Sequence, residues 1–296
     1  MTKNEYLRKI LASQEVRSSS DEMKVLRKAK QEVEDTLRAE FTDASPTIRY
    51  GGSKAKGTMV LESYDLDITC YFENEDNAAG ETLADIFFNV RNALSKAYGL
   101  TQKKSAIRLF DANGSDFHID VVPGRYTDDS KSDVFLYQAE GEKSRLKTNL
   151  QTHIDHISGS GVTDCIKLMK LWALRNGVNV KTFVLELAVV ELLKGKSGAS
   201  IEDQFVHVLT KLKNDIDEIQ IVDPANPEGN DLSGVFDNSV RSQLSMVASA
   251  SLDHVENGNW SNVLGEVVDM DPSEAASSLT AAAATVSSDA KPWVET

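Results

Sequence analysis

Hydrophobic positions recur at helical spacing at the start of the chain. Tyr6, Ile10 and Leu11 share one side of a short helix over residues 3–16, and Met23, Leu26, Val33, Leu37 and Phe41 mark a longer one ending near residue 41. Ser19 and Glu22 stand at capping-box spacing at its start, and Ser45-Pro46 breaks it. The texture then changes. Thr47-Ile48-Arg49-Tyr50 alternates like a strand and runs into Gly51-Gly52-Ser53-Lys54-Ala55-Lys56-Gly57-Thr58, after which Leu66 to Phe72 reads as a second strand. Residues 78–98 return to the helical period, with Leu83, Ile86, Phe87, Val90 and Leu94 on the buried face. Ile107 to Phe110 and Phe117 to Val122 read as paired strands about Asn113-Gly114, a dipeptide suited to a tight positive-φ turn, and Pro123-Gly124 ends the second strand.

From about residue 145 the pattern is mainly helical, with helices expected over 145–157, 163–176, 182–194, 201–215 and 235–256. Val222 to Asn230 is a turn-rich interruption, and residues 271–296, rich in Ala, Ser and acidic side chains, have little to bury beyond Trp293. There is no internal repeat. The pattern predicts a mixed α/β half followed by a helical half, an α+β protein with a cleft between the two.

Composition narrows the chemistry. Of 296 residues, 41% are hydrophobic and 26% charged, as in ordinary globular proteins, so collagen-like and wholly disordered chains are excluded. The net charge of −14 argues against non-specific duplex binding, which runs on surplus Lys and Arg, but leaves room for a local basic pocket. The two cysteines, Cys70 and Cys165, lie far apart in apolar segments and read as reduced core thiols. The N-terminal residues carry no signal-peptide run and no stretch is long enough to span a membrane, so a soluble, cytoplasmic protein is expected.

Three carboxylates stand out. Asp65 and Asp67, two apart on a predicted strand, project from one face, and Asp120 lies near the end of another predicted strand in His118-Ile119-Asp120-Val121-Val122. If those strands are neighbours the three converge, and divalent cations such as Mg²⁺ resolve their repulsion. Two ions so held suit an in-line displacement at phosphorus. Asp116 shares the parity of Asp120 but precedes the apolar stretch, and is set aside as the third ligand. Gly52-Ser53 lies twelve residues before Asp65, in a loop whose glycines let backbone amides approach phosphate, with Ser53 adding a hydroxyl and Lys56 a charge; Gly57-Thr58 continues it. The order of Gly, Lys and Thr is not that of a Walker A loop.

Gly-Gly-Ser-x-x-Lys-Gly-Thr, then Asp-x-Asp, then a third Asp before Val-Val-Pro, resembles the polymerase-β-like nucleotidyltransferase superfamily. More narrowly, the chain resembles the oligoadenylate synthase and cGAS/DncV-like group, the CD-NTases. The likeness continues through Asp164 to Trp172, similar to that group's central helix, through Thr182-Phe183-Val184-Leu185-Glu186-Leu187, and into Asp223-Pro224-Ala225-Asn226-Pro227, so that it spans roughly residues 45–235. The resemblance implies a polymerase-β-like core over residues 1–145 including the N-terminal helices, a helical C-terminal domain over 146–270 and a flexible tail over 271–296. It implies Asp65, Asp67 and Asp120 as catalytic metal ligands for two Mg²⁺ or Mn²⁺ ions. It further implies Gly52, Ser53, Lys56, Gly57, Thr58, Lys170, Thr182 and Phe183 as nucleotide contacts. Lys170 sits among Ile166, Met169 and Ala173, where an anionic triphosphate gives a lysine its reason; Thr182 competes with an N-cap role and Phe183 with a place in the core.

The implied substrates are ATP and other NTPs, and the implied product is a cyclic or short linear oligonucleotide second messenger, made in bacterial anti-phage signalling and bound by a downstream effector protein. Transfer of a single nucleotide to a protein or RNA end, and a catalytically inactive scaffold, remain as alternatives. No Cys/His insertion of the zinc-thumb kind and no basic surface stripe are present, so long duplex nucleic acid is not expected as activator. His153 and His156, three apart, lack companion ligands for a metal, and Asp223 with its prolines reads as architectural.

Overall fold

The computed structural model describes residues 1–110, 118–230, 232 and 234–267. The expected Asn113-Gly114 turn, Asp116, Phe117 and the tail with Trp293 lie outside them. Two helices, α1 (Lys3–Ser13) and α2 (Asp21–Glu40), lead into β1 (Thr47–Tyr50), a short α3 (Gly52–Lys56), β2 (Leu66–Phe72), α4 (Leu83–Ser95), β3 (Gly99–Gln102), β4 (Ile107–Phe110), β5 (His118–Tyr126), β6 (Val134–Tyr137) and β7 (Arg145–Thr148). Helices then follow: α5 (Leu150–Ser158), α6 (Thr163–Arg175), α7 (Thr182–Leu192), α8 (Ile201–Asn214), α9 (Asn238–Glu256) and α10 (Ser261–Leu264). The strands form one mixed sheet in the order β1-β2-β5-β4-β3, with β6 on β5 and β7 on β6. Only β2 and β5 run parallel among these pairs, and they place Asp67 opposite Asp120.

Two cores hold the molecule. One lies between the sheet and helices α2 and α4, built from Leu26, Leu37, Ile68, Phe72, Phe87 and Val121 among others. The other is helical, around Trp172, Val189, Phe205 and Leu244, and it takes in Tyr6, Leu7 and Ile10, so α1 packs with the C-terminal helices. Trp172 is fully buried and its indole donates to Ser251 Oγ at 2.9 Å. Trp172→Ala is expected to cost about 3–5 kcal/mol, read as a lower urea midpoint at unchanged slope. Cys70 and Cys165 are free and wholly buried, and burial pushes both thiols above their ordinary range.

Several boundaries differ from expectation for local reasons. The cap of α2 is Ser20, whose hydroxyl accepts from the Met23 amide at 3.2 Å, and not Ser19. The loop after β1 contains the single turn α3. Residues 145–148 are strand β7, and the helix starts only after Asn149, whose side chain caps Thr152 at 2.9 Å. Pro123-Gly124 does not end β5. Between residues 121 and 125 one edge of β5 pairs with neither β4 nor β6, which tolerates a proline without an amide donor. Gly124 is required there, since a Cβ would come within 2.5 Å of Val134 and 2.8 Å of Leu136.

Candidate active site

Two of the three carboxylates sit side by side at one end of the β2/β5 pair, with the third just ahead of β2. Asp67 and Asp120 are register partners, and Asp65 precedes β2 by one residue. Burial, then the charges of Asp65 and Asp120, push the Asp67 carboxyl up to about 7. Asp120 behaves in the opposite way. Burial works against its charge, but Arg108 and Lys103 outweigh burial and hold it below the usual carboxylate range. Arg108, its register partner on β4, donates from Nε to Oδ1 and from Nη2 to Oδ2, each at 2.8 Å. Lys103 Nζ donates to the same Oδ2 at 2.8 Å.

The glycine-serine loop is pressed onto this strand. The Gly51 amide donates to the Asp67 carbonyl at 2.8 Å, and Gly52 follows at φ 52°. A Cβ on Gly52 would lie 1.6 Å from Asp67 Oδ2, so only glycine lets the loop meet the carboxylate. Gly57 closes the turn in the left-handed conformation at φ 72°. Ser53 is 7% exposed, and its hydroxyl is buried without a hydrogen-bond partner. A buried hydroxyl left unmatched, one residue after the glycine that meets Asp67, is a donor awaiting an acceptor. Gly52→Ala combines left-handed strain of about 1–2 kcal/mol with displacement of Asp67. Turnover is expected to fall about 10²-fold with the circular dichroism spectrum retained.

Basic groups come from both halves, and the helical half supplies Lys170 and the buried anion Glu186. Lys56 on α3 pairs with Glu186 of α7, which is wholly buried and also accepts from the Thr58 hydroxyl. Lys170 on α6 donates to the Thr58 carbonyl at 2.8 Å and lies 4.0 Å from Glu186. Burial pushes Lys170 below the usual ammonium range, and the charge of Glu186 opposes that. Thr182 opens α7 and is exposed; the cap position belongs to Lys181. Phe183 is half-buried, with its ring 4.8 Å from that of His153 and the Lys56 ammonium 5.3 Å from its centroid. His153 Nε2 lies 2.6 Å from Asp223 Oδ1, and Asp223 also accepts from Asn230 and the Ala225 amide, as an architectural residue would.

No family model and no curated protein matches this sequence. Solved structures do. Escherichia coli MS115-1 CdnC with ATP is similar at a TM-score of 0.67 and 17% identity, over 91% of this chain and 99% of that one. The Bradyrhizobium diazoefficiens CD-NTase CdnG in complex with GTP is similar at 0.67 and 12%, over 93% and 98%. Vibrio cholerae DncV cyclic AMP-GMP synthase, in complex with a linear intermediate, is similar at 0.61 and 15%, over 91% and 87%. The chain has the polymerase-β-like fold of the CD-NTases.

Within that CD-NTase fold, three charged residues join the site that the sequence did not single out. Glu186 had a signal, a carboxylate inside the apolar run Val184 to Val190. Arg108 had a weaker one, since its strand alternates and places it opposite Asp120. Lys103 sits in the β3–β4 turn and had none. The donor set fits divalent cations in part. Asp65 and Asp67 offer hard oxygens whose mutual repulsion a cation relieves. Asp120 is drawn to Arg108 and Lys103, and among the described residues no group of three or more His, Cys, Asp or Glu side chains is gathered to hold one ion.

Proposed function

We propose that this protein is a nucleotidyltransferase that joins NTPs, ATP among them, into a cyclic or short linear oligonucleotide signal with release of pyrophosphate. The observation that carries this is the register of Asp67 beside Asp120, with Asp65 ahead of them and the Ser53 loop seated on Asp67. The ATP and GTP held by CdnC and CdnG, and the cyclic AMP-GMP synthase activity named for DncV, support the same class of substrate and product. Asp65 and Asp67 would hold one Mg²⁺ or Mn²⁺ ion and, with Asp120, a second. When bound, the ions supply positive charge to the phosphates and to the acceptor hydroxyl.

The remaining residues bind and orient. The Ser53 hydroxyl donates to a phosphate oxygen, and Gly52 lets the loop backbone approach. Gly57 fixes the exit of the turn, so that Thr58 presents its carbonyl to Lys170 and its hydroxyl to Glu186. Lys56 and Lys170 set two ammonium groups against one buried carboxylate, which leaves a net positive charge for the triphosphate. Thr182 and Phe183 line the start of α7, on the nucleoside side. Signalling in anti-phage defence, a cytoplasmic site of action and an effector that binds the product complete the proposal. Among the described residues no helix is long and apolar enough to cross a membrane.

The test incubates purified protein with each labelled NTP and Mg²⁺ or Mn²⁺, followed by mass spectrometry of small products. Pyrophosphate with a low-mass oligonucleotide is expected. Label carried onto protein or RNA, or no metal-dependent turnover with any NTP or NTP pair, overturns the proposal.

A further inference from the structure

The acidic trio is lopsided. Asp67 is crowded by two carboxylates, whereas Asp120 has both oxygens engaged by cations of the chain itself. A divalent ion meeting the nucleotide-free protein finds Asp65 and Asp67 first. It reaches Asp120 only by taking over an oxygen that already carries a hydrogen-bonded cation. The two cations differ in how firmly they are held. Arg108 is set by strand register, grips Asp120 through two bonds of a planar fork, and has a side chain 23% exposed. Lys103 makes a single bond from the β3–β4 turn, on a flexible stem whose side chain is 38% exposed. Its backbone is tied down, since its amide donates to the Ala106 carbonyl at 2.8 Å, so the ammonium moves without the turn. Lys103 is therefore the exchangeable partner.

We propose that Lys103 is a built-in counter-ion that holds the Asp120 half of the site closed to divalent metal until the phosphates of a bound nucleotide draw its ammonium away. The inference rests on the assignment of Asp65, Asp67 and Asp120 as metal ligands. It makes loading sequential: one ion on the free protein, and the second only with nucleotide. It also makes Lys103 a positioning residue for Asp120 before nucleotide arrives and a phosphate contact afterwards.

The test is Mn²⁺ binding to the full chain, counted by electron paramagnetic resonance of free Mn²⁺, with and without an ATP analogue that carries a non-cleavable α–β bridge. Wild type is expected to take one ion alone and two with the analogue. Lys103→Met, which keeps the stem and removes the charge, is expected to take the second ion without nucleotide, at least roughly ten-fold tighter than wild type. Lys103→Arg, which keeps the charge, should behave as wild type. Two ions on the free wild-type protein, or identical isotherms for wild type and Lys103→Met, overturn the inference. Asp67→Asn separates the two levels. If it binds Mn²⁺ as wild type does, the ligand assignment falls and this inference with it. If it loses Mn²⁺ while Lys103→Met changes nothing, the ligand assignment stands and only the role of Lys103 falls.

Discussion

Asp67→Asn should abolish product formation and at the same time stabilise the metal-free protein. If Asp65 and Asp67 hold the first ion as proposed, losing one of them removes several kcal/mol of charge stabilisation, about a thousand-fold or more in turnover. The gain in stability follows from the same crowding. Burial and the charges of Asp65 and Asp120 raise the Asp67 carboxyl from 3.8 to about 7. A carboxyl whose folded pKa lies above its unfolded value takes up a proton on folding. The wild type therefore loses stability as pH rises from about 4 to about 7, and the loss is complete above 7. Asparagine carries no such penalty. After allowance for solvent screening the difference is about 1–2 kcal/mol, a rise in Tm of roughly 2–8 °C at pH 8 in EDTA, with no difference at pH 4. Saturating Mg²⁺ should reverse the order, because wild type gains binding free energy and the variant does not. Equal Tm values at pH 8 in EDTA would show that the three carboxylates do not share one field.

The elements that carry this site were legible because their signals are local. Alternation in Thr47 to Tyr50 and Leu66 to Phe72 gives β1 and β2 with the bounds observed, but Asp65 falls one residue ahead of β2, so the expected strand parity with Asp67 does not place it. Strands β3, β6 and β7 were not expected. Each is four residues long, and their pairing is decided by neighbours far away in sequence. Arg145-Leu146-Lys147-Thr148 has no helical signal of its own and was absorbed into the helix that follows. Pro123-Gly124 carried a turn signal that the sheet overrode, because β5 had a free edge there and no room for a side chain at Gly124. The acidic residues of the site could be picked out one at a time, but their counter-charges could not. Lys103, Arg108 and Glu186 reach Asp120 and Lys56 across 17, 12 and 130 residues, and such pairings exist only after folding.

Glu186→Leu should be among the most destabilising single changes in the chain. Glu186 is wholly buried, and it is the anion for Lys56 and Lys170, whose side chains are 10% and 7% exposed. Removing it leaves two ammonium groups and the Thr58 hydroxyl in a space with little water, at about 3–5 kcal/mol. Glu186→Gln keeps the shape and one acceptor and should fall between. Replacing both partners, Lys56→Met with Glu186→Leu, should recover part of the loss, a coupling of about 1–3 kcal/mol in a double-mutant cycle read by urea unfolding. The pH dependence gives an independent sign. Burial already lowers Lys170 and Glu186 opposes it, so without Glu186 the folded pKa drops further below the unfolded 10.5. A base with a lowered folded pKa releases a proton on folding, so folding gains stability as pH rises through that interval. The deficit of Glu186→Leu should therefore shrink as pH is raised from 7 toward 10. Because Lys56 and Thr58 belong to the loop that seats on Asp67, the residual activity of Glu186→Gln should show a raised KM for NTP. A Glu186→Leu protein as stable as wild type at pH 7 would mean that water reaches these lysines and that α7 does not hold the loop.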